Sequence, residues 1–244
     1  MNTLVDDYLA RVEALITAEP TLASDVAGLG GSMRRLCTAA GKSVDACGVG
    51  ITVMAPEGVR GVTAATDAAT ERLEDLQLTM GEGPCIEAFE RRIPVLIPDV
   101  ADAMHRWPVY APAVHASGVR AVFAFPLQVG ASRLGVLDVF RDQAGPLSRE
   151  NLALCLTFAE VAVNTLLDGQ ERVQQSGTDD GLGENLGPRT VLFQAQGMVM
   201  IQLDVSLADA LARIRAHAYA HNRPLSEVAA DIVARRLHFE RDQP

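Results

Sequence analysis

Apolar positions change their spacing along this chain, and each change marks an element. From residue 2 to 18, Leu4, Tyr8 and Leu15 share one helical stripe, and Val5, Leu9, Val12 and Ile16 share the next, which predicts a helix with a wide apolar side. A second helix is expected from about Ser24 to Ala40, its start blurred by Gly28, Gly30 and Gly31. β-branched residues then take over: Cys47–Ala55 and Val59–Ala65 flank Pro56-Glu57-Gly58, which predicts a hairpin. A short, polar, exposed helix is expected over Asp67–Gln77, and further helices after the Gly81–Pro84 turn and over Trp107–Ser117, with a short strand at Ile93–Pro98 between them. Val119–Val129 and Arg133–Arg141 read as a second hairpin turned by Gly130-Ala131-Ser132. Strands in hairpins with interspersed helices imply an α+β domain whose antiparallel sheet is flanked by helices.

From Ser148 the period lengthens again. Leu152, Phe158, Ala159, Val163, Leu166 and Leu167 carry one helix to about Val173, roughly 39 Å long at 1.5 Å per residue. The polar, glycine-rich run from 174 to 187 then reads as a linker. Beyond it, Leu192, Ala195, Val199 and Leu203 define a helix opened by Pro188. Leu207, Leu211, Ile214 and Ala218 define a second, with Ser206 and Asp209 at capping-box spacing, and Asn222-Arg223-Pro224 ends it. Val228, Ala229, Ile232 and Val233 face inward on a third helix for which Ser226 is the expected cap, while Arg235 and Arg236 face out. Three short amphipathic helices with short connections make an all-α bundle, since none can bury its stripe alone. The expected parts are an N-terminal helical segment (1–29), a sheet domain (30–147), a long connecting and dimerisation helix (148–173), a flexible linker (174–187) and the bundle (188–244).

Composition narrows the function. The chain has 244 residues, 48% hydrophobic and 21% charged, with a net charge of −10, which argues against indiscriminate coating of nucleic acid or membrane. The charge is uneven. Residues 185–244 hold seven arginines against six acids, net +1, whereas residues 1–184 carry net −11. The tail is thus the part that does not repel a polyanion. Within it, Arg213 and His217 lie four apart on one helical side, and Arg215, Tyr219 and Arg223 lie four apart along another. A cation, an aromatic face and a second cation in line suit a splayed base and its phosphate; a solvated helix face is the plainer reading of the same spacing. Gly197, which costs a helix interior roughly 1 kcal/mol relative to Ala, points to close approach of either a helix or RNA. Four cysteines, Cys37, Cys47, Cys85 and Cys155, form no Cys-x-x-Cys pair, and no signal peptide or bilayer-spanning run is read, so reduced thiols and a cytoplasmic location are expected.

Two resemblances sharpen this. Gln-Ala-Gln-Gly-Met-Val-Met at 194–200, Ala210-Leu-Ala-Arg-Ile-Arg-Ala-His-Ala218 and Leu225-Ser-Glu-Val-Ala-Ala-Asp-Ile-Val233 resemble, in order, the ANTAR domain of bacterial transcription antiterminators. That resemblance implies an RNA-binding module that, as a dimer, holds paired small hairpins in a nascent transcript and so prevents a terminator from forming. It places Arg215 at the arginine of the family's Leu-Arg block, and Gln196 where a lysine is common, which would remove one phosphate-binding charge. With Gln196, Gly197, Arg213, Arg215, His217, Tyr219 and Arg223, the exposed Arg235 and Arg236 complete the candidate RNA-binding set.

Upstream, Gly81-Glu-Gly-Pro-Cys85, Pro94-Val-Leu-Ile-Pro-Asp99, Gly118-Val-Arg-Ala-Val-Phe-Ala-Phe-Pro126 and Leu134-Gly-Val-Leu-Asp138 together resemble a GAF domain over roughly 30–168. This implies a module that senses a small molecule or simply dimerises, and passes the signal to an attached output domain. Both together resemble an actinobacterial type of antitermination regulator. Cys85, Phe89, Trp107, Tyr110, Phe123 and Phe125 are the candidate pocket residues, and no cofactor is named by the sequence.

Other motifs fail on inspection. Gly41-Lys42-Ser43 lacks the glycine that a phosphate loop needs five residues earlier, where Leu36 stands. His217-Ala-Tyr-Ala-His221 has zinc-protease spacing but Ala218 in place of the glutamate, so no metal ligand set and no catalytic group is assigned. Two rival functions remain: a DNA-binding transcription factor with a GAF sensor, and a GAF-based small-molecule or redox sensor. The first would use Leu225–Val233 as the opening of a helix-turn-helix.

Overall fold

The structure, a computed structural model, describes residues 2–20, 28–55, 58–176 and 188–240. Its sheet has five antiparallel strands: β1 (Gly48–Ala55), β2 (Gly58–Ala65), β3 (Val95–Ile97), β4 (Ala121–Val129) and β5 (Ser132–Arg141), in the order β2-β1-β5-β4-β3. Both expected hairpins are present. The central β1–β5 pairing sets Gly50 opposite Asp138 and Thr52 opposite Val136.

Alternation along the strands divides the core in two. Val49 and Ile51 of β1, Phe123, Phe125 and Leu127 of β4, and Leu137 and Val139 of β5 point to one face. That face is covered by α1 (Asn2–Ala18), α2 (Leu29–Ser43) and α6 (Arg149–Ser176), through Val12, Met33, Leu36, Leu154, Phe158, Ala162 and Leu166. α6 runs beyond the expected Val173, and its 28 residues span about 42 Å. Contrary to the sequence reading, its segment Arg149–Gly169 is long and apolar enough to cross a bilayer; here one side of it packs on the sheet.

The opposite face carries Met54, Val122, Ala124, Val136 and Phe140. Over it lie α3 (Ala68–Met80), α4 (Pro84–Arg91) and α5 (Tyr110–Ala116). α3 begins on the Asp67 carboxylate, which accepts from the Thr70 backbone N–H at 2.7 Å, and ends at Gly81 in the left-handed region with φ 69°. Glu82 ties down the start of α5 by accepting from the Val109 and Tyr110 amides at 2.7 and 2.8 Å.

The bundle consists of α7 (Pro188–Leu203), α8 (Leu207–Ala220) and α9 (Leu225–Val233), with α7 and α8 meeting at 103°. Leu192, Ala195, Val199, Leu211, Ile214, Ala218, Val228, Ala229 and Ile232 fill its interior, continuous with the second face of the sheet domain. Ser206 caps α8 by accepting from the Asp209 amide at 3.1 Å; the Asp209 carboxylate accepts from the Ser206 hydroxyl instead of reaching back to the backbone. Ser226 does not cap α9. Pro224 stands at that position, and the Ser226 hydroxyl is committed elsewhere.

Candidate functional site

The bundle docks on the sheet domain chiefly where α7 packs against β2, and a second contact, with α3, uses a side chain the sequence assigned to RNA. On α8, the Arg215 guanidinium Nε donates to the Leu78 carbonyl at 2.7 Å, at the C-terminal end of α3, and lies against Gly81. A carbonyl at a helix C-terminus carries partial negative charge, so a guanidinium is the cation suited to it. Burial there pushes the Arg215 pKa down, with Glu90 opposing. From α9 the Ser226 hydroxyl donates to the Asp75 carboxylate, which is itself held above the usual carboxylate range by burial. Beside these contacts a cleft of about 570 Å³ opens between α3 and the α8–α9 turn, lined on one side by Arg72 and Thr79 and on the other by Tyr219, Asn222 and Arg223.

The Arg215–Tyr219–Arg223 line expected from spacing therefore exists, and it faces α3. Tyr219 remains 62% exposed at the rim of the cleft. Arg223 is drawn to Asp231 at 2.7 Å, and Arg236 reaches the other oxygen of the same carboxylate at 2.7 Å, so the structure brings these two arginines together. Hydrogen bonds from Arg223 and then Arg236 hold Asp231 below the usual carboxylate range. Arg213 and Arg235 are exposed. His217 stacks on His221 with ring centroids 4.1 Å apart and meets Phe239 edge-on at 5.5 Å; partial burial, then His221 and Arg223, lower its pKa.

Two members of the candidate set stand differently. Gln196 is 0% exposed, because it falls four residues after Leu192 on the stripe that fills the bundle, so in this arrangement it offers RNA nothing. Among the described residues both its amide atoms lack partners. Among the described residues of the chain Gly197 meets no other helix: a Cβ there would have nothing within 4 Å.

The pocket set divides as well. Cys85, Phe89, Trp107 and Tyr110 lie in the core beneath α3–α5, with Trp107 edge-on to Tyr110 at 6.3 Å. Phe123 and Phe125, two residues apart on β4, point through the sheet to the α2 and α6 side and cannot share a cavity with the other four. In their place β1, α3 and β5 offer polar residues that sequence reasoning missed: Thr52, Glu74 and Gln77, and Asp138, all fully buried around Cys85. Thr52 Oγ1 donates to Glu74 Oε2 at 2.8 Å, Gln77 Oε1 accepts from the Cys85 backbone N–H at 2.8 Å, and Gln77 Nε2 reaches Asp138 Oδ2 at 3.5 Å. Burial is the main cause that raises Glu74, seconded by Asp138, and burial pushes Asp138 up to about 7. Burial, Asp138 and Glu74 push the Cys85 thiol well up. Asp138 was detectable as the one acid on a strand between Val136 and Phe140, whereas Glu74 and Gln77 were hidden by the expectation of an exposed helix: α3 is polar, yet the side carrying Thr70, Glu74 and Gln77 is buried against the sheet.

Comparison with known proteins fits this architecture. A GAF domain model matches residues 30–166 and an ANTAR domain model matches residues 180–233. No curated protein matches the chain. Among solved structures, the GAF domain from Acinetobacter phosphoenolpyruvate-protein phosphotransferase is similar at 15% identity and TM-score 0.52, over 71% of this chain and 99% of that one. The GAF domain from the Coxiella burnetii phosphoenolpyruvate-protein phosphotransferase is similar at 14% identity and TM-score 0.52, over 70% and 96%. At such identities the likeness speaks for the fold alone. With more than half its length matched by one family model and the helical bundle by another, this chain belongs to the GAF domain family and carries a C-terminal ANTAR domain.

Proposed function

We propose that this chain is a transcription antitermination regulator, in which the GAF domain senses a signal and controls an ANTAR domain that binds paired hairpins in nascent mRNA. The observation that carries this reading is the concentration of basic side chains on the one part with net positive charge, in the blocks that resemble ANTAR domains. Arg213, Arg215, Arg223, Arg235 and Arg236 supply phosphate contacts, and Tyr219 offers a stacking surface for an unpaired base. The protein acts as a regulator in the cytoplasm, not as a catalyst.

Docking gives this reading a mechanism. Arg215 cannot donate to the Leu78 carbonyl and grip a phosphate with the same edge, and Tyr219 and Arg223 border α3. The docked arrangement is a resting state, and RNA binds when the bundle leaves α3. A signal read by the GAF domain shifts that equilibrium by differential binding to the two states. α6, about 42 Å long, pairs with its copy in a homodimer and sets the separation of two RNA surfaces.

Gel shift of the full chain with a paired-hairpin RNA and with duplex DNA of matched length tests the reading. Retention of the hairpin RNA at concentrations that leave the duplex free is expected. Equal or stronger retention of duplex DNA would favour the helix-turn-helix alternative and overturn the proposal.

A further inference from the structure

The polar cluster beneath α3 takes no part in RNA binding, and its composition is unusual for a core. Glu74 comes from the middle of α3, Cys85 from the first turn of α4 and Asp138 from the centre of β5, so three separate elements converge. One ligand atom from each lies within 4.8 Å of the others, and all three side chains are fully buried. The groups that act most strongly on these three are one another, Thr52, Gln77 and Asp75, none of them basic. Two acids and a thiol thus share a water-excluded space with no cation among their strongest neighbours.

The scaffold satisfies only half of their polar atoms. Glu74 uses Oε2 with Thr52 and Asp138 uses Oδ2 with Gln77, and their other oxygens meet the acidic groups of the cluster itself, Glu74 and Cys85 each hydrogen-bonding to Asp138. The Tyr110 hydroxyl, in a side chain 1% exposed, also has no partner, and its strongest charged neighbours are Asp138, Glu74 and Cys85. A buried hydroxyl without a partner, beside two carboxyls and a thiol that otherwise have to share protons among themselves, calls for a cationic occupant. The fold makes room for this polar face: a Cβ at Gly48 or Gly50 would overlap Thr70 Oγ1 or Glu74 Oε1, and one at Gly83 would lie 2.6 Å from Gln77 Oε1.

We propose that Glu74, Cys85 and Asp138 are the ligands of a divalent transition-metal ion, zinc by its chemistry, with Tyr110 beside the fourth coordination position. A thiolate with two carboxylates suits zinc, cobalt or ferrous iron; magnesium and calcium take six or more oxygens, which this cluster does not provide. Thr52 and Gln77 orient the two carboxylates from behind, as supports of a metal site do. Binding places two positive charges where two carboxylates meet, and the Cys85 thiol gives its proton to solvent as its sulfur bonds the ion, so uptake releases protons and strengthens as pH rises. The three ligands lie 11 and 53 residues apart in sequence, which is why no ligand spacing announced them.

Cobalt is the probe. The full chain is unfolded in chelator, refolded with Co²⁺, and followed by metal analysis and absorption spectroscopy. One Co²⁺ per chain is expected, with a thiolate-to-cobalt charge-transfer band that vanishes in C85S and persists in C47S, which removes the exposed thiol. D138N and E74Q are expected to weaken cobalt binding by at least ten- to a hundredfold, the loss known for removing a group that merely supports a ligand. Absence of stoichiometric cobalt in the wild-type chain, or an unchanged band in C85S, overturns the site. Should C85S fail to refold, D138N and E74Q decide: wild-type affinity in both refutes the assignment, and the stated loss in both supports it.

Discussion

Asp75→Ala is expected to tighten RNA binding by the full chain, although Asp75 lies in the GAF domain and is an acid that touches no RNA in the proposed complex. Its carboxylate accepts from the Ser226 hydroxyl across the docking surface. A hydrogen bond to a charged group contributes about 1.5–3 kcal/mol when buried; with Ser226 exposed, about 1 kcal/mol is the reasonable figure. That corresponds to roughly a fivefold shift toward the undocked state. Where the competent state is a minor one, apparent affinity follows its population, so the apparent Kd for hairpin RNA falls by about fivefold. Arg215→Ala releases the bundle too, but removes a phosphate contact, so its gain is cancelled and its salt slope drops by about 0.7–0.9. Fluorescence anisotropy with labelled hairpin RNA, from low to moderate salt, reads both quantities, and circular dichroism checks that the variants fold. Unchanged or weaker binding by Asp75→Ala would refute competition between docking and RNA.

Three further outcomes follow from the same geometry. Alkylation of the native protein labels Cys47 first, because it is exposed, while Cys85 and Cys155 react slowly, the latter with a thiol pKa pushed by burial to about 12; mass spectrometry of timed digests checks the order. Phe158→Ala, at a fully buried ring under α6, costs about 3–5 kcal/mol in denaturant unfolding, and a loss below 1 kcal/mol would contradict the packing of α6 on the sheet. Asp231 has a folded pKa below its ordinary 3.8, so its stabilisation is complete above that value and disappears as pH falls through the folded pKa. The wild type therefore melts above Asp231→Asn by a constant margin near neutral pH, and the margin closes in strong acid; a margin that grows with acidification contradicts the Arg223–Asp231–Arg236 cluster.

How much was legible follows from where the information lies. Helical stripes such as Leu192, Ala195 and Val199, and the apolar runs of β4 and β5 broken by the turn at Gly130, are local patterns, so the elements and the two hairpins could be read from them. The docking surface could not, because Arg215 meeting the Leu78 carbonyl joins residues 137 positions apart, and an exposed-looking arginine carries no sign of a distant backbone acceptor. Ser226 misled for the same reason: its place before an apolar run suits a cap, but Pro224 already opens α9, and the hydroxyl serves Asp75. Phe123 and Phe125 were grouped with Cys85 by residue type, where parity along β4 separates them. Parity also exposes Asp138, since an acid among Val136 and Phe140 must be buried with whatever faces it. Glu74 becomes visible beside it only once α3 is laid over Gly48 and Gly50.

The central claim is that the helical bundle grips hairpins in nascent transcripts. Crosslinking the full-length protein in cells and sequencing the RNA that co-purifies tests it most directly. Enrichment of paired small hairpins lying just upstream of terminators is predicted, with that enrichment reduced when Arg213 and Arg215 are both replaced by alanine. Recovery of no RNA above background, or of the same RNA with the double variant, would contradict it.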